Sequence, residues 1–128
     1  MAGSRTSGTE VVFILEKAAT APDLYQYYLL ATTRTSTMEK ELNDQASRGF
    51  RLLARTMTQK DQAFGPLEIL MVMEKPPGPP QLYQYRLLAT ELTGTMQKEM
   101  AQAANDGYMI VGIVSRGEHI VILEKPVP

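Results

Sequence analysis

Leu24-Tyr25-Gln26-Tyr27-Tyr28-Leu29-Leu30-Ala31-Thr32 returns as Leu82-Tyr83-Gln84-Tyr85-Arg86-Leu87-Leu88-Ala89-Thr90, and this recurrence decides the fold. The match continues through Thr37-Met38 with Lys40-Glu41 against Thr95-Met96 with Lys98-Glu99, and Ala46 and Gly49 fall on Ala104 and Gly107. Density of this order is not a composition accident, so the chain reads as repeated supersecondary units. Further on, Glu68–Pro76 matches Glu118–Pro126, with Glu-Lys-Pro closing both. The front parts lie 58 positions apart and the back parts 50, so the first copy carries 8 additional residues, placed in or near Gln59–Pro66.

Periodicity assigns each part. Tyr25, Tyr27, Leu29 and Ala31 alternate with Gln26, Tyr28, Leu30 and Thr32, as in a strand. Met38, Leu42 and Ala46, with Met96, Met100 and Ala104 as copies, recur every four residues along a short helix. Ser36 and Glu39 have capping-box spacing, and Gly49 and Gly107 suit the left-handed residue that ends a helix. Two strands follow, at Phe50–Met57 and Glu68–Lys75, or Tyr108–Ser115 and Glu118–Lys125, with Arg116-Gly117 as a tight hairpin link. Each unit is therefore β-α-β-β, and a helix between its first two strands calls for a parallel right-handed crossover.

The expected fold is α+β: two tandem β-α-β-β units with a pseudo-two-fold relation, residues 24–76 and 82–126. The sheets are mixed or antiparallel with helices on one face. Residues 77–81 form a stiff proline-rich linker. Residues 10–17 repeat the closing strand without the rest of a unit, as an orphan strand expected beside a unit's opening strand; residues 1–9 read as a flexible polar tail.

Composition bounds the function. The 128 residues are 44% hydrophobic, enough for one compact domain, and 13 cationic side chains against 14 anionic ones give no field for nucleic acid or an anionic membrane. Apolar runs are far shorter than the ~20 residues of a membrane helix, which fits a soluble chain, cytoplasmic or exported after loss of a signal. No cysteine is present, so neither disulfides nor thiolate chemistry are available. No metal or other cofactor is expected.

His119 is the sole histidine, and its copy is Ile69, which favours a strand position over a catalyst. Glu39, Glu41 and Asp44, or Glu99 and Asp106, read as solvated helix residues rather than acid and base pairs, with Lys40 and Asp44 as an i,i+4 couple. Arg48, Arg51 and Arg55 are the best candidates for a small anionic ligand, with Tyr25 and Tyr83 lining a pocket between the units. Their copies Asp106, Met109 and Ile113 carry no positive charge, which favours a solvated strand face. Met109, Val111 and Ile113 alternate on one strand and call for a cover, either the other unit or a second chain in a homodimer.

The Tyr-x-Tyr opening strand, the glycine and aromatic after the helix (Arg48-Gly49-Phe50 and Asp106-Gly107-Tyr108) and the closing Glu-Lys-Pro resemble a group of small uncharacterised bacterial β-α-β-β domains. That resemblance spans residues 10–126 and implies tandem units without assigned active-site residues. The expected function is a non-enzymatic interaction or structural module, acting by self-association or on another protein. The alternative is a binder of small anionic or aromatic ligands between the repeats.

Overall fold

Two short strands, β1 (Gly3–Ser7) and β2 (Glu10–Ile14), open the chain in the computed structural model, which describes residues 3–7, 10–16, 24–60, 68–90, 92–115 and 118–128. The first copy then runs β3 (Gln26–Thr32), α1 (Thr35–Ala46), β4 (Arg51–Lys60) and β5 (Glu68–Lys75). The second runs β6 (Tyr83–Thr90), α2 (Thr93–Asn105), β7 (Met109–Ser115) and β8 (His119–Pro126). The protein is α+β, with sheets ordered β3-β5-β4 and β6-β8-β7, every neighbouring pair antiparallel.

Of the two arrangements expected, mixed or antiparallel, the sheets take the antiparallel one. The opening and second strands of each unit do run the same way, but the closing strand lies between them. The reason is composition: Ile69–Met73 and Ile120–Leu123 are apolar on both faces and take the centre, where both faces are covered. Registers agree between the copies, Tyr27 facing Glu74 as Tyr85 faces Glu124.

Each turn into a helix is held by a threonine. Arg34 N donates to Thr32 Oγ1 at 3.2 Å, and Leu92 N to Thr90 Oγ1 at 3.1 Å. The Ser36–Glu39 capping box does not form, because α1 begins at Thr35 with no side-chain cap and Glu39 points to the other unit. Gly49 and Gly107 end the helices at φ 97° and 92°, as expected of their position. Among the described residues no helix is long and apolar enough to cross a membrane.

Bulges separate the copies. Five steps from Leu53 to Thr58 match two from Val72 to Leu70, and buried Thr56 stabilises the gap by accepting from Val72 N at 2.8 Å and donating to Leu53 O at 2.6 Å. Part of the insertion is therefore inside β4; Asp61–Pro66 and the Arg116-Gly117 link lie outside the described residues. In β7 the bulge falls at Val111, between Ile110 and Gly112, and breaks the alternation. Met109, Val111 and Ile113 do not share a face: Val111 packs inward, while Met109 and Ile113 are 60% and 62% exposed.

Packing between the units is one-sided. Leu30, Met38, Leu42, Met71 and Met73 share a core cluster with Tyr85, Ile120 and Ile122, while Met96, Ala103, Val121 and Leu123 form a second beneath α2. A two-fold relation calls for α2 on β3 to match α1 on β6, yet α2 packs chiefly on β6 too. The leading β2 pairs with β1, and β1 lies against β4, so the orphan strand does not border an opening strand and Gly3–Ser7 is itself a strand. Lys17 and Ala18–Asp23 lie outside the described residues.

Candidate functional site

The cleft between the units, about 480 Å³, is built where β4 passes β8 and the start of β6. Arg51, Arg55 and Tyr83 line it, together with Glu74, Gln81 and Glu124. Of the five residues singled out by sequence, these three converge. Arg48 stands exposed beyond the end of α1, and Tyr25 lies half-exposed just ahead of β3; neither reaches the cleft.

Arg51 is committed to a carboxylate that sequence reasoning did not single out. Its Nη2 donates to Glu124 Oε1 at 2.9 Å and its Nε to Oε2 at 3.2 Å, in the two-pronged geometry that suits guanidinium and carboxylate. Glu124 is 2% exposed at its side chain against 50% for Arg51, so the acid is buried and its partner half in water. Tyr85 Oη donates to Glu124 Oε2 at 2.7 Å and accepts from Leu52 N at 2.8 Å. The guanidinium also sits 4.4 Å from the centre of the Tyr83 ring, a cation–π contact.

Charge behaviour follows from this network. Burial, reinforced by the neighbouring Glu124 carboxylate, pushes the Tyr85 hydroxyl far above the usual phenol value, so it stays a donor. The hydrogen bond to Glu124 raises the Arg51 guanidinium further. Neither the Tyr85 hydroxyl nor the Arg51 guanidinium exchanges a proton near neutrality, and the constellation fastens one unit to the other. A hint was present in the sequence, since both copies retain a glutamate directly after the apolar run of the closing strand, at Glu74 and Glu124.

Other candidates are dispersed. His119 shares a hydrogen bond with Ser115 Oγ, 3.1 Å from Nδ1, and borders a shallow groove with Met96, Met100 and Ile113. Lys40 Nζ meets Asp44 Oδ2 at 2.8 Å on the exposed side of α1, the couple expected from their spacing. Arg86 pairs with Asp106 at 2.9 Å and lies 4.4 Å from the Tyr108 ring centre; that ion pair holds the Asp106 carboxyl below its usual range. Among the described residues no three acidic or histidine side chains gather as metal ligands.

Strand edges give the sharpest contrast between the copies. The outer edge of β6 is closed by α1: Asn43 Nδ2 donates to Tyr85 O at 2.9 Å, Asn43 Oδ1 accepts from Tyr85 N at 2.8 Å, and Glu39 Oε2 accepts from Leu87 N at 2.8 Å. The matching positions on α2 are Gln97 and Ala101, and an alanine has no group to bond a strand edge. Tyr27 and Leu29 on β3 are 43% and 55% exposed, whereas their copy Tyr85 is 3% exposed and Leu87 is half-buried. Leu24, Tyr25 and Tyr28 extend this apolar rim. Desolvation and then a hydrogen bond to Glu74 raise the Tyr27 hydroxyl, so Tyr27 and Glu74 repeat at the surface the pair that Tyr85 and Glu124 make inside.

No protein-family model, curated protein or solved structure matches this chain.

Proposed function

We propose that this chain is a non-enzymatic module of two tandem β-α-β-β repeats that acts by protein contact, with β3 as the contact element. One observation carries the reading: of two equivalent strand edges, the described residues close one with Asn43 and Glu39 and leave the other rimmed by Leu24, Tyr25, Tyr27, Tyr28 and Leu29. A strand of this kind is a template for another chain, and such edges are normally blunted with charge or proline. Gln26–Thr32 contains neither. The buried acid is spent on cohesion, which supports a scaffold rather than a catalyst.

An aromatic photo-crosslinker in place of Tyr28, in the full chain inside the cells that make it, is expected to give discrete protein adducts. Absence of any adduct at that site overturns the reading.

The cleft supports a second reading, a small anionic or aromatic ligand held by Arg55 and Tyr83. It is weakened because Arg51 is already occupied by Glu124. A ligand-induced rise in melting temperature that Arg55→Ser abolishes would favour it.

A further inference from the structure

We infer that the partner of β3 is β3 of a second copy, joined antiparallel about a two-fold axis at Leu29 so that the two three-stranded sheets become one of six strands; this rests on the contact reading of β3 given above. Backbone direction comes first. Tyr85 N and O both bond Asn43 and so face away from β8, and the shared register turns Tyr27 and Leu29 away from β5 in the same manner. These outward groups are what an antiparallel neighbour needs.

Side chains then select a self-pairing. Centred on Leu29, the two-fold sets Leu29 against Leu29, Tyr27 against Ala31, Tyr28 against Leu30 and Gln26 against Thr32. Large residues meet small or aliphatic ones, amide meets hydroxyl, and no like charges are brought together, which is the condition for favourable cross-strand pairs. Area is sufficient: the exposed parts of Leu24, Tyr25, Tyr27, Tyr28 and Leu29 come to roughly 500–600 Å² per copy, so burial of most of it by both approaches the ~1,000 Å² of a specific interface. A head-to-tail contact placing α2 of one copy on β3 of the next is less suited, because Ala101 cannot replace the two bonds of Asn43.

The chain lacks cysteine, so a disulfide test has no background. Residues in a hydrogen-bonded antiparallel pair have Cα atoms about 5.5 Å apart, within disulfide reach. Leu29→Cys in the purified full chain is expected to oxidise to a covalent dimer, and equilibrium sedimentation of the unmodified chain to show a dimer. Leu29→Lys is expected to raise the dimer dissociation constant by about tenfold or more while leaving the far-UV spectrum unchanged. A chain monomeric up to 200 µM (roughly the ceiling for a useful weak dimer), a dimer indifferent to Leu29→Lys, or a disulfide formed only when Leu29→Cys is mixed with Ala101→Cys each overturns the pairing. A monomeric purified chain that still yields adducts from position 28 in cells removes this inference and leaves the contact reading intact; loss of both removes both.

Discussion

Glu124 illustrates how one buried charge can fix the relation of two β-α-β-β units. A carboxylate withdrawn from water is tolerable only with its oxygens occupied, and here Arg51 and Tyr85 occupy them. Arg51→Met removes the cation and leaves the acid buried; the expected loss is about 2–3 kcal/mol, below that of a fully enclosed pair because Arg51 is half in water. Urea denaturation measures it, and Arg51→Met combined with Glu124→Leu should recover most of the loss. A single substitution costing under ~0.5 kcal/mol would show that the pair is ornamental. Tyr85 adds a pH signature: its folded hydroxyl is raised, so its contribution is complete below about pH 10 and is lost as pH climbs, because the unfolded chain ionises first. Stability should therefore fall above pH 10, with a slope of up to about 1.4 kcal/mol per unit from this group. Tyr85→Phe should lower stability at pH 8 by about 1–3 kcal/mol and reduce the alkaline slope, both read from urea midpoints across pH.

At the scale of elements, α1 serves two sheets. Met38, Leu42 and Ala46 bury in the core that both units share, while Asn43 and Glu39, on the neighbouring stripe, close the edge of β6. Asn43→Ala leaves Tyr85 N and O without partners, so a loss of about 1–2 kcal/mol is expected, with faster amide exchange at Tyr85; unchanged exchange there would refute the edge-closing role. That duty was not legible in the sequence. Glu39 follows Ser36 at capping-box spacing, and local spacing carries no information on a strand more than forty residues away. Strand, helix, strand, strand was legible because alternation, four-residue recurrence and the two helix-ending glycines are local signals. The order within the sheet was not, because the crossover only requires the first two strands to run the same way, and whether a third fits between them depends on which strand has two apolar faces. The bulges at Thr56 and Val111 were equally hidden, since three additional residues in the one and one in the other, both odd numbers, shift every later side chain to the opposite face. The arginine cluster divides where helix gives way to strand: Arg51 and Arg55 follow β4 into the cleft, while Arg48 stays in the turn at the end of α1.

Across the whole molecule the shared core decides whether the units are independent. Tyr85, Ile120 and Ile122 from the second unit complete the cluster of Leu30, Met38, Leu42, Met71 and Met73 from the first. Each such side chain left in water forfeits about 1.5–3 kcal/mol, so parting the sheets costs an amount comparable with the 5–15 kcal/mol that holds a domain of this size. The two sheets should consequently open together. With no tryptophan in the chain, far-UV ellipticity and near-UV tyrosine signals are the reporters, and in urea the two curves should superimpose on one transition. A plateau between two transitions would mean that each unit holds its own stability and that the Arg51–Glu124 junction is only a surface contact. The second unit excised as residues 82–128 should by the same logic lack a cooperative transition, because Tyr85, Ile120 and Ile122 would face water with nothing to replace α1 and β5. If that fragment instead melts sharply by itself, β3 is carried by a separable arm rather than by a fixed frame, and its edge would not be presented in one orientation.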